Sequence, residues 1–87
     1  KWDGLWRIVT FDIPERRRGV RGRLRMMMKS VGFIRLQESV WVYPYDCEEF
    51  MALLKAELKI GRNVLYVIAD SIEQDSALRK HFSLPPV

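Results

Sequence analysis

An α+β fold of the ferredoxin-like kind is predicted for this chain by its length, its alternation of strand and helix patterns, and its short connections. The 87 residues suffice for one domain, and a composition of 48% hydrophobic and 30% charged residues is that of a globular protein. The patterns follow the order β-α-β-β-α-β, with a short helix after the last strand. Two interlocking right-handed crossovers then give a four-stranded antiparallel sheet with two helices on one face.

The first strand and the first helix have the clearest patterns. Residues 6–12 are rich in β-branched and aromatic side chains and predict a strand that Ile13-Pro14 ends. Pro14 can open a helix, where its missing N–H costs nothing, and Gly32 can cap the end of that helix. Between them, apolar residues recur at helical spacing at Val20, Leu24, Met27, Met28 and Val31.

The second half of the chain repeats the alternation. Residues 33–36 and 40–43 predict a hairpin, and residues 64–69 predict the last strand. Asp46 and Glu49 have capping-box spacing and precede a helix that we expect to close at Gly61. Ser71 and Gln74 have the same spacing and predict a short helix over 72–80. The second helix is expected to bury Phe50, Leu53, Leu54 and Leu58.

The third strand is apolar on both of its faces. Trp41 and Tyr43 share one face, and Val40 and Val42 share the other. Because both main helices are expected on one side of the sheet, we expect nothing in the chain to cover the other side. The sequence therefore predicts a partner, most simply a second copy, with Trp41 and Tyr43 at the homodimer interface.

Several classes of protein are excluded by composition. No apolar run is long enough to cross a membrane, and the first residues do not resemble a signal peptide. Cys47 and His81 are single, which excludes an internal disulfide and a metal site built on cysteines or histidines of one chain. A lone cysteine fits a reducing cytoplasm. The chain does not begin with Met, so we expect a processed chain or part of a longer one.

Positive charge is concentrated in the first half. Residues 1–45 contain ten basic and four acidic side chains, a net charge of +6, and no acidic residue lies between Arg16 and Lys29. Like charges four residues apart repel on a helix, so a merely solvated face would favour interspersed glutamates. A solvated face remains the alternative, but we expect this helix to contact phosphates of a nucleic acid. The candidate contacts are Arg16, Arg17, Arg18, Arg21, Arg25 and Lys29.

Asp12 ends the first strand, where open sheets often place functional groups. Its carboxylate can cap the following helix, or it can bind a metal ion. Mg²⁺ needs more oxygen ligands than one carboxylate provides, so a metal site would require a two-fold axis that brings a second Asp12 close. Ser39 could add a hydroxyl to the same cleft or could belong to the hairpin turn.

These residues together resemble a known family. Phe11-Asp12-Ile13-Pro14, the basic helix and Ser39-Val40-Trp41 resemble Cas2, the small CRISPR-associated protein that partners the integrase during spacer acquisition. Trp41 stands where that family has Phe. The longer string, with Trp2-Asp3-Gly4, Trp6-Arg7, Gly32-Phe33 and Val40-Trp41-Val42, resembles more closely the Cas2-like central domain of PaaX-type transcriptional regulators.

The two branches of this resemblance imply different functions. In the CRISPR branch, the resemblance implies a two-fold dimer that holds DNA beside the integrase in antiviral defence. Some members of that branch resemble Mg²⁺-dependent endonucleases, whose catalytic aspartate corresponds to Asp12 in each subunit. In the PaaX branch, the domain follows an N-terminal winged helix and mediates dimerisation without nuclease chemistry. This chain would then be a fragment that lacks the winged helix.

Three functions therefore remain open. The first is a dimeric nucleic-acid-binding protein of the CRISPR kind, with DNA favoured over RNA and a Mg²⁺-dependent endonuclease activity as an option. The second is the dimerisation domain of a PaaX-type regulator. The third is an unrelated ferredoxin-like module that binds RNA or senses a small molecule. RNA recognition is disfavoured, because residues 39–43 lack the glycine–aromatic pattern on which bases stack.

Overall fold

A computed structural model describes residues 1–86 and confirms the ferredoxin-like prediction. The four strands form one antiparallel sheet in the spatial order β2 (Ile34–Gln37), β3 (Val40–Tyr43), β1 (Trp6–Phe11) and β4 (Val64–Ala69). Short 3-10 turns cover Glu15–Arg17 and Gly61–Asn63. No helix within residues 1–86 is long and apolar enough to cross a membrane. The elements are β1 (Trp6–Phe11), α1 (Arg18–Val31), β2 (Ile34–Gln37), β3 (Val40–Tyr43), α2 (Glu48–Leu58), β4 (Val64–Ala69) and α3 (Ser76–His81).

The main core lies between the sheet and the two long helices. The predicted apolar stripe of α1 is confirmed, because Leu24 and Met28 are buried and Val20, Met27 and Val31 pack beside them. Burying a side chain of this size contributes about 1.5–3 kcal/mol. The sheet and α2 complete this core with Val9, Phe11, Trp41, Val64, Met51, Leu54 and Leu58.

The stripe of α2 is shifted from the prediction. Met51, Leu54 and Leu58 are buried, whereas Leu53 is 59% exposed and Phe50 is half-buried. Positions 51, 54 and 58 are spaced by three and four residues and therefore share one helix face, from which position 53 is rotated away. The prediction that Leu53 belongs to the core is wrong.

The predicted capping box does not form at α2. Cys47 is the N-cap residue, and no side chain caps the helix. The Asp46 carboxylate instead accepts a hydrogen bond from the Glu48 backbone N–H at 3.2 Å, a local turn that precedes the helix. Glu49 therefore has no capping partner, and Gly61 lies in the following 3-10 turn instead of closing the helix.

The C-terminal helix starts later than its sequence pattern predicts. Gln74 adopts a left-handed conformation with φ of 56°, so residues 72–74 cannot be helical and the pairing of Ser71 with Gln74 is lost. Helix α3 begins at Ser76, after the N-cap residue Asp75.

Helix α3 covers part of the second face of the sheet, so the expectation that this face is bare is wrong. Trp6 and Val42 are buried there against Leu78 and Leu84. The Trp6 indole N–H donates to the Asp75 carboxylate at 3.2 Å. The C-terminal segment is thereby attached to the centre of the sheet through a buried polar contact.

The outer part of this face remains exposed at β4. Leu65 pairs with Thr10 and Val67 pairs with Ile8, so both β4 side chains lie on the same side of the sheet as α3. Leu65 is 66% exposed and Val67 is 41% exposed. A continuous strip of apolar surface therefore remains beside the part that α3 covers.

Gly22 within α1 and Gly32 at its C-terminal end give a matched test of the left-handed backbone conformation that ends the helix. Gly32 has φ of 117°, and a Cβ there would lie 3.3 Å from the Tyr43 ring, whereas a Cβ at Gly22 would meet nothing within 4 Å. We expect Gly32→Ala to lower the free energy of unfolding by about 1–2 kcal/mol. Gly22→Ala should raise it by about 0.5–1 kcal/mol. Urea denaturation measures both, and equal effects would contradict the left-handed cap.

Candidate functional site

Asp12 lies at the point where β1 leaves the sheet. The Asp12 backbone N–H donates to the Asn63 carbonyl at 2.9 Å, and the Phe11 N–H donates to the Ser39 carbonyl at 3.3 Å. These bonds attach the end of β1 to the β2–β3 turn on one side and to the start of β4 on the other. The Asp12 carboxylate is exposed and forms no hydrogen bond or ion pair with residues 1–86.

The capping role considered for Asp12 is wrong. Pro14 directly precedes the first 3-10 turn, Arg17 precedes α1, and neither element has a side-chain cap. Pro14 also stands before the helical region and not inside it, because its ψ of 153° is extended. The carboxylate is therefore free for another purpose.

Two small cavities flank the Asp12 carboxylate. One has a volume of about 120 Å³ and is lined by Arg21, Arg25, Glu38 and Ser39 beside Asp12. The other, of about 310 Å³, is lined by Thr10, Phe11, Arg62, Asn63 and Leu65 beside Asp12. Three guanidinium groups therefore line the cavities that contain this single strand-end aspartate.

The arginines of the smaller cavity are paired with exposed carboxylates. Arg21 lies 3.0 Å from Glu15, and Arg25 lies 3.5 Å from Glu38. Glu38 is also shared with Arg35 at 3.1 Å. Ion pairs with such exposed partners add at most about 1 kcal/mol, so they hold the arginines only weakly.

The donor set of one chain does not fit Mg²⁺. No group of three or more metal-ligating side chains occurs within the described residues. Glu38, the other acid of the smaller cavity, is already bonded to two arginines. Mg²⁺ needs carboxylate or phosphate oxygens, and neighbouring guanidinium groups oppose its charge. A metal ion and a catalytic role for Asp12 therefore remain predictions that depend on a second copy.

The basic residues of α1 and of the 3-10 turn before it divide into structural and free groups. Arg17 donates to the Leu58 and Lys59 carbonyls at 2.9 and 3.1 Å, so its guanidinium satisfies the end of α2. Arg16 and Lys29 are exposed and form no ion pair within residues 1–86, and Arg18 is exposed beside Glu15 at 3.6 Å. Arg21 and Arg25 face the Asp12 cavity. The prediction that this helix contacts phosphates stays open, and its candidate residues now lie on two different surfaces.

Trp41 and Tyr43 lie on the face of the sheet that the two long helices cover. Trp41 is 1% exposed within the main core. Tyr43 is half-buried and stacks on Phe33 with ring centroids 4.9 Å apart. Alternation along β3 predicts which residues share a face, but it does not predict which face the helices cover. Trp41 lies on the covered face. The prediction that Trp41 forms the dimer interface is therefore wrong, because it has no free surface.

Sequence analysis missed Arg62, which lines the larger cavity. Arg62 lies in the 3-10 turn before β4, far from Asp12 along the chain. In the predicted fold the last strand runs antiparallel beside the first, and Phe11 pairs with Val64. Residues just before β4 must therefore lie beside residues just after β1, a signal available from the topology.

A separate polar cluster lies at the opposite end of β1. Arg7 is almost fully buried and forms two bonds with the Asp3 carboxylate, at 2.7 and 2.9 Å. That side-chain bond lowers the pKa of Asp3 to about 2.

Burial raises the pKa of the Cys47 thiol, whose Sγ lies 3.5 Å from the Tyr66 hydroxyl. A thiol with a raised pKa is a poor nucleophile, so Cys47 is not a catalytic candidate.

The strand order and the two long helices on one face of the sheet define a ferredoxin-like α+β domain. Over residues 1–80, the chain matches the family described as the PaaX protein central Cas2-like domain. The chain belongs to that family, which confirms the resemblance found in its sequence. No curated protein and no solved structure matches the chain significantly.

The lowered pKa of Asp3 predicts how stability depends on pH. A carboxylate with a folded-state pKa below its unfolded value stabilises the protein above that unfolded value, and the contribution is lost as pH falls through the folded pKa. We expect the stability difference between wild type and Asp3→Asn to be constant near neutrality. It should shrink as pH falls from 3.8 toward about 2.

Urea denaturation at several pH values measures this difference. Asp70→Asn is the matched control, because Asp70 is exposed and forms no ion pair within residues 1–86. A difference between wild type and Asp3→Asn that persists below pH 2 would show that the Asp3–Arg7 pair is not its source.

Proposed function

We propose that this PaaX-type regulator domain pairs two copies of the regulator through the exposed part of its sheet. The observation that supports the proposal is the exposed strip at β4. Leu65 and Val67 present their side chains to solvent on one face, at 66% and 41% exposure. Contiguous apolar surface of this kind on a soluble domain is typical of a protein–protein interface.

The position of β4 strengthens the proposal. Strand β4 pairs with β1 on one side and lies at the edge of the sheet. Edge strands that must stay free usually contain lysine, proline or a bulge, and residues 64–69 contain no charged residue and no proline. Ile68, on the opposite face of β4, is also exposed. An edge of this composition is suited to being covered.

A second copy is the occupant that fits this strip best. The strip is apolar and uncharged, so two copies related by a two-fold axis can bury it against itself without placing like charges together. Regulators that read DNA commonly bind two half-sites as dimers, which requires a pairing element. The resemblance to the PaaX branch implies the same role, with Leu65 and Val67 replacing the interface expected at Trp41 and Tyr43.

A charged side chain in the strip tests this proposal. We expect the wild-type chain to be a dimer at micromolar concentration and Val67→Lys to weaken pairing at least tenfold, because a lysine there would be buried without a partner. Leu53→Lys is the matched control, since Leu53 is also exposed but lies on α2, away from the strip. Analytical ultracentrifugation measures both.

Two results would contradict pairing through this strip. A wild-type chain that sediments as a monomer at about 100 µM, a concentration limit of roughly 5 kcal/mol, would contradict pairing. Equal weakening by Val67→Lys and Leu53→Lys would place the interface elsewhere or show a general loss of folding.

Contact with a nucleic-acid backbone is a second candidate function. Arg18 and Lys29 are exposed on α1, Arg16 is exposed in the 3-10 turn before it, and the surplus of positive charge lies in this half of the chain. Exposed cations in a row can neutralise successive phosphates without reading sequence. The family match is to the PaaX branch, so we propose neither an integrase partner nor an antiviral or endonuclease function.

The dependence of binding on salt tests this second candidate. If α1 contacts phosphates, the affinity for duplex DNA should fall with salt at a log–log slope of roughly −0.9 per phosphate. Replacing Arg18 and Lys29 by Gln should reduce the magnitude of that slope by about two. Replacing Lys1 and Lys80, two exposed lysines outside α1, is the charge-matched control. Equal changes in the two double variants would contradict a contact surface on α1.

A further inference from the structure

We propose that the smaller cavity beside Asp12 binds a phosphate group, held by Arg21, Arg25 and the Ser39 hydroxyl, and not a divalent cation. This inference is independent of pairing, because all of the lining residues belong to one chain. The phosphate can be free or part of a polynucleotide backbone, since both offer the same anionic oxygens to the same donors.

The two arginines are positioned in advance. Arg21 and Arg25 lie four residues apart on α1, so their side chains project from successive turns of one helix face. Their side chains are only 27% and 29% exposed, so both are largely packed against the protein, and both residues line the cavity. Paired guanidinium groups on packed side chains suit the several oxygens of one phosphate.

The present partners of these arginines are replaceable. The Glu15 and Glu38 side chains are 72% and 85% exposed, and ion pairs with such exposed partners contribute little. The Nε atom of Arg25 is buried and has no acceptor within the described residues. That buried atom is out of reach of a ligand in the cavity, so a phosphate would bind the terminal guanidinium nitrogens in place of the glutamates.

The negative charge of Asp12 repels a phosphate, so the effect of neutralising Asp12 distinguishes a phosphate site from a metal site. Its carboxylate lines the cavity and has no partner within residues 1–86, so it repels an incoming anion. Neutralising Asp12 should therefore strengthen phosphate binding. A metal site predicts instead that the same change abolishes Mg²⁺ binding, because it would remove the ligand that holds the ion.

Phosphate titration followed by amide chemical shifts tests the proposal. We expect inorganic phosphate to shift the signals of Ser39 and Ile13, which line the cavity. Arg25→Gln should weaken binding about tenfold, the scale of one charge-assisted hydrogen bond. Asp12→Asn should strengthen binding about threefold. Arg23→Gln, which removes the same charge from the same helix outside the cavity at a residue paired with Glu57, should change affinity by less than about twofold.

Further variants and a second ligand distinguish free phosphate from backbone phosphate and control for loss of folding or pairing. Arg21→Gln repeats the test if Arg25→Gln fails to fold, and Val67→Lys shows whether binding persists when pairing is lost. A short DNA duplex titrated in parallel distinguishes a backbone phosphate from a free one, and sensitivity to Arg25→Gln in either arm supports the site. Insensitivity in both arms overturns it. Weaker phosphate binding by Asp12→Asn would also overturn it, and Mg²⁺ shifts that this variant abolishes would overturn it in favour of a metal site.

Discussion

Strand β1 is paired along both of its edges, and the positions of the other elements follow from that constraint. Its partners are β3 and β4, so β1 forms the centre of the sheet together with β3. Val9 and Phe11 enter the main core, whereas Trp6 faces α3. Because neighbours occupy both sides, the backbone that leaves β1 must emerge between the β2–β3 turn and the start of β4. Asp12 is placed there by topology.

The sequence predicted the elements and their order because those depend on local periodicity. The spacing of Leu24 and Met28 identifies α1 without knowledge of the rest of the chain. The covering of the second face was not predictable in that way, since the Trp6–Asp75 hydrogen bond joins residues 69 positions apart. The burial of Trp41 was not predictable from local patterns either. Period-two alternation separates the faces of a strand, but which face the helices cover is decided by tertiary packing.

The candidate site was predictable in part for related reasons. Asp12 stands out because it ends an apolar strand, and the density of arginine on α1 is visible in the sequence. The partners of those arginines were not visible. Glu38 reaches Arg25 only because the hairpin folds beside α1, and Arg62 reaches the neighbouring cavity only because β4 pairs with β1. A charge count over one helix therefore overestimates the cations that remain free at its surface.

The C-terminal segment is attached to the domain by side chains alone. Within the described residues, backbone hydrogen bonds from the Arg79, Phe82, Ser83 and Leu84 amides all end on carbonyls of the same segment. Its amides are thus protected by a six-residue helix that can detach without breaking the sheet. We therefore expect hydrogen exchange in α3 to proceed through local opening and exchange in the central strand to require global unfolding. On this basis the chain would contain two cooperative units, and the smaller one covers Trp6 of the larger.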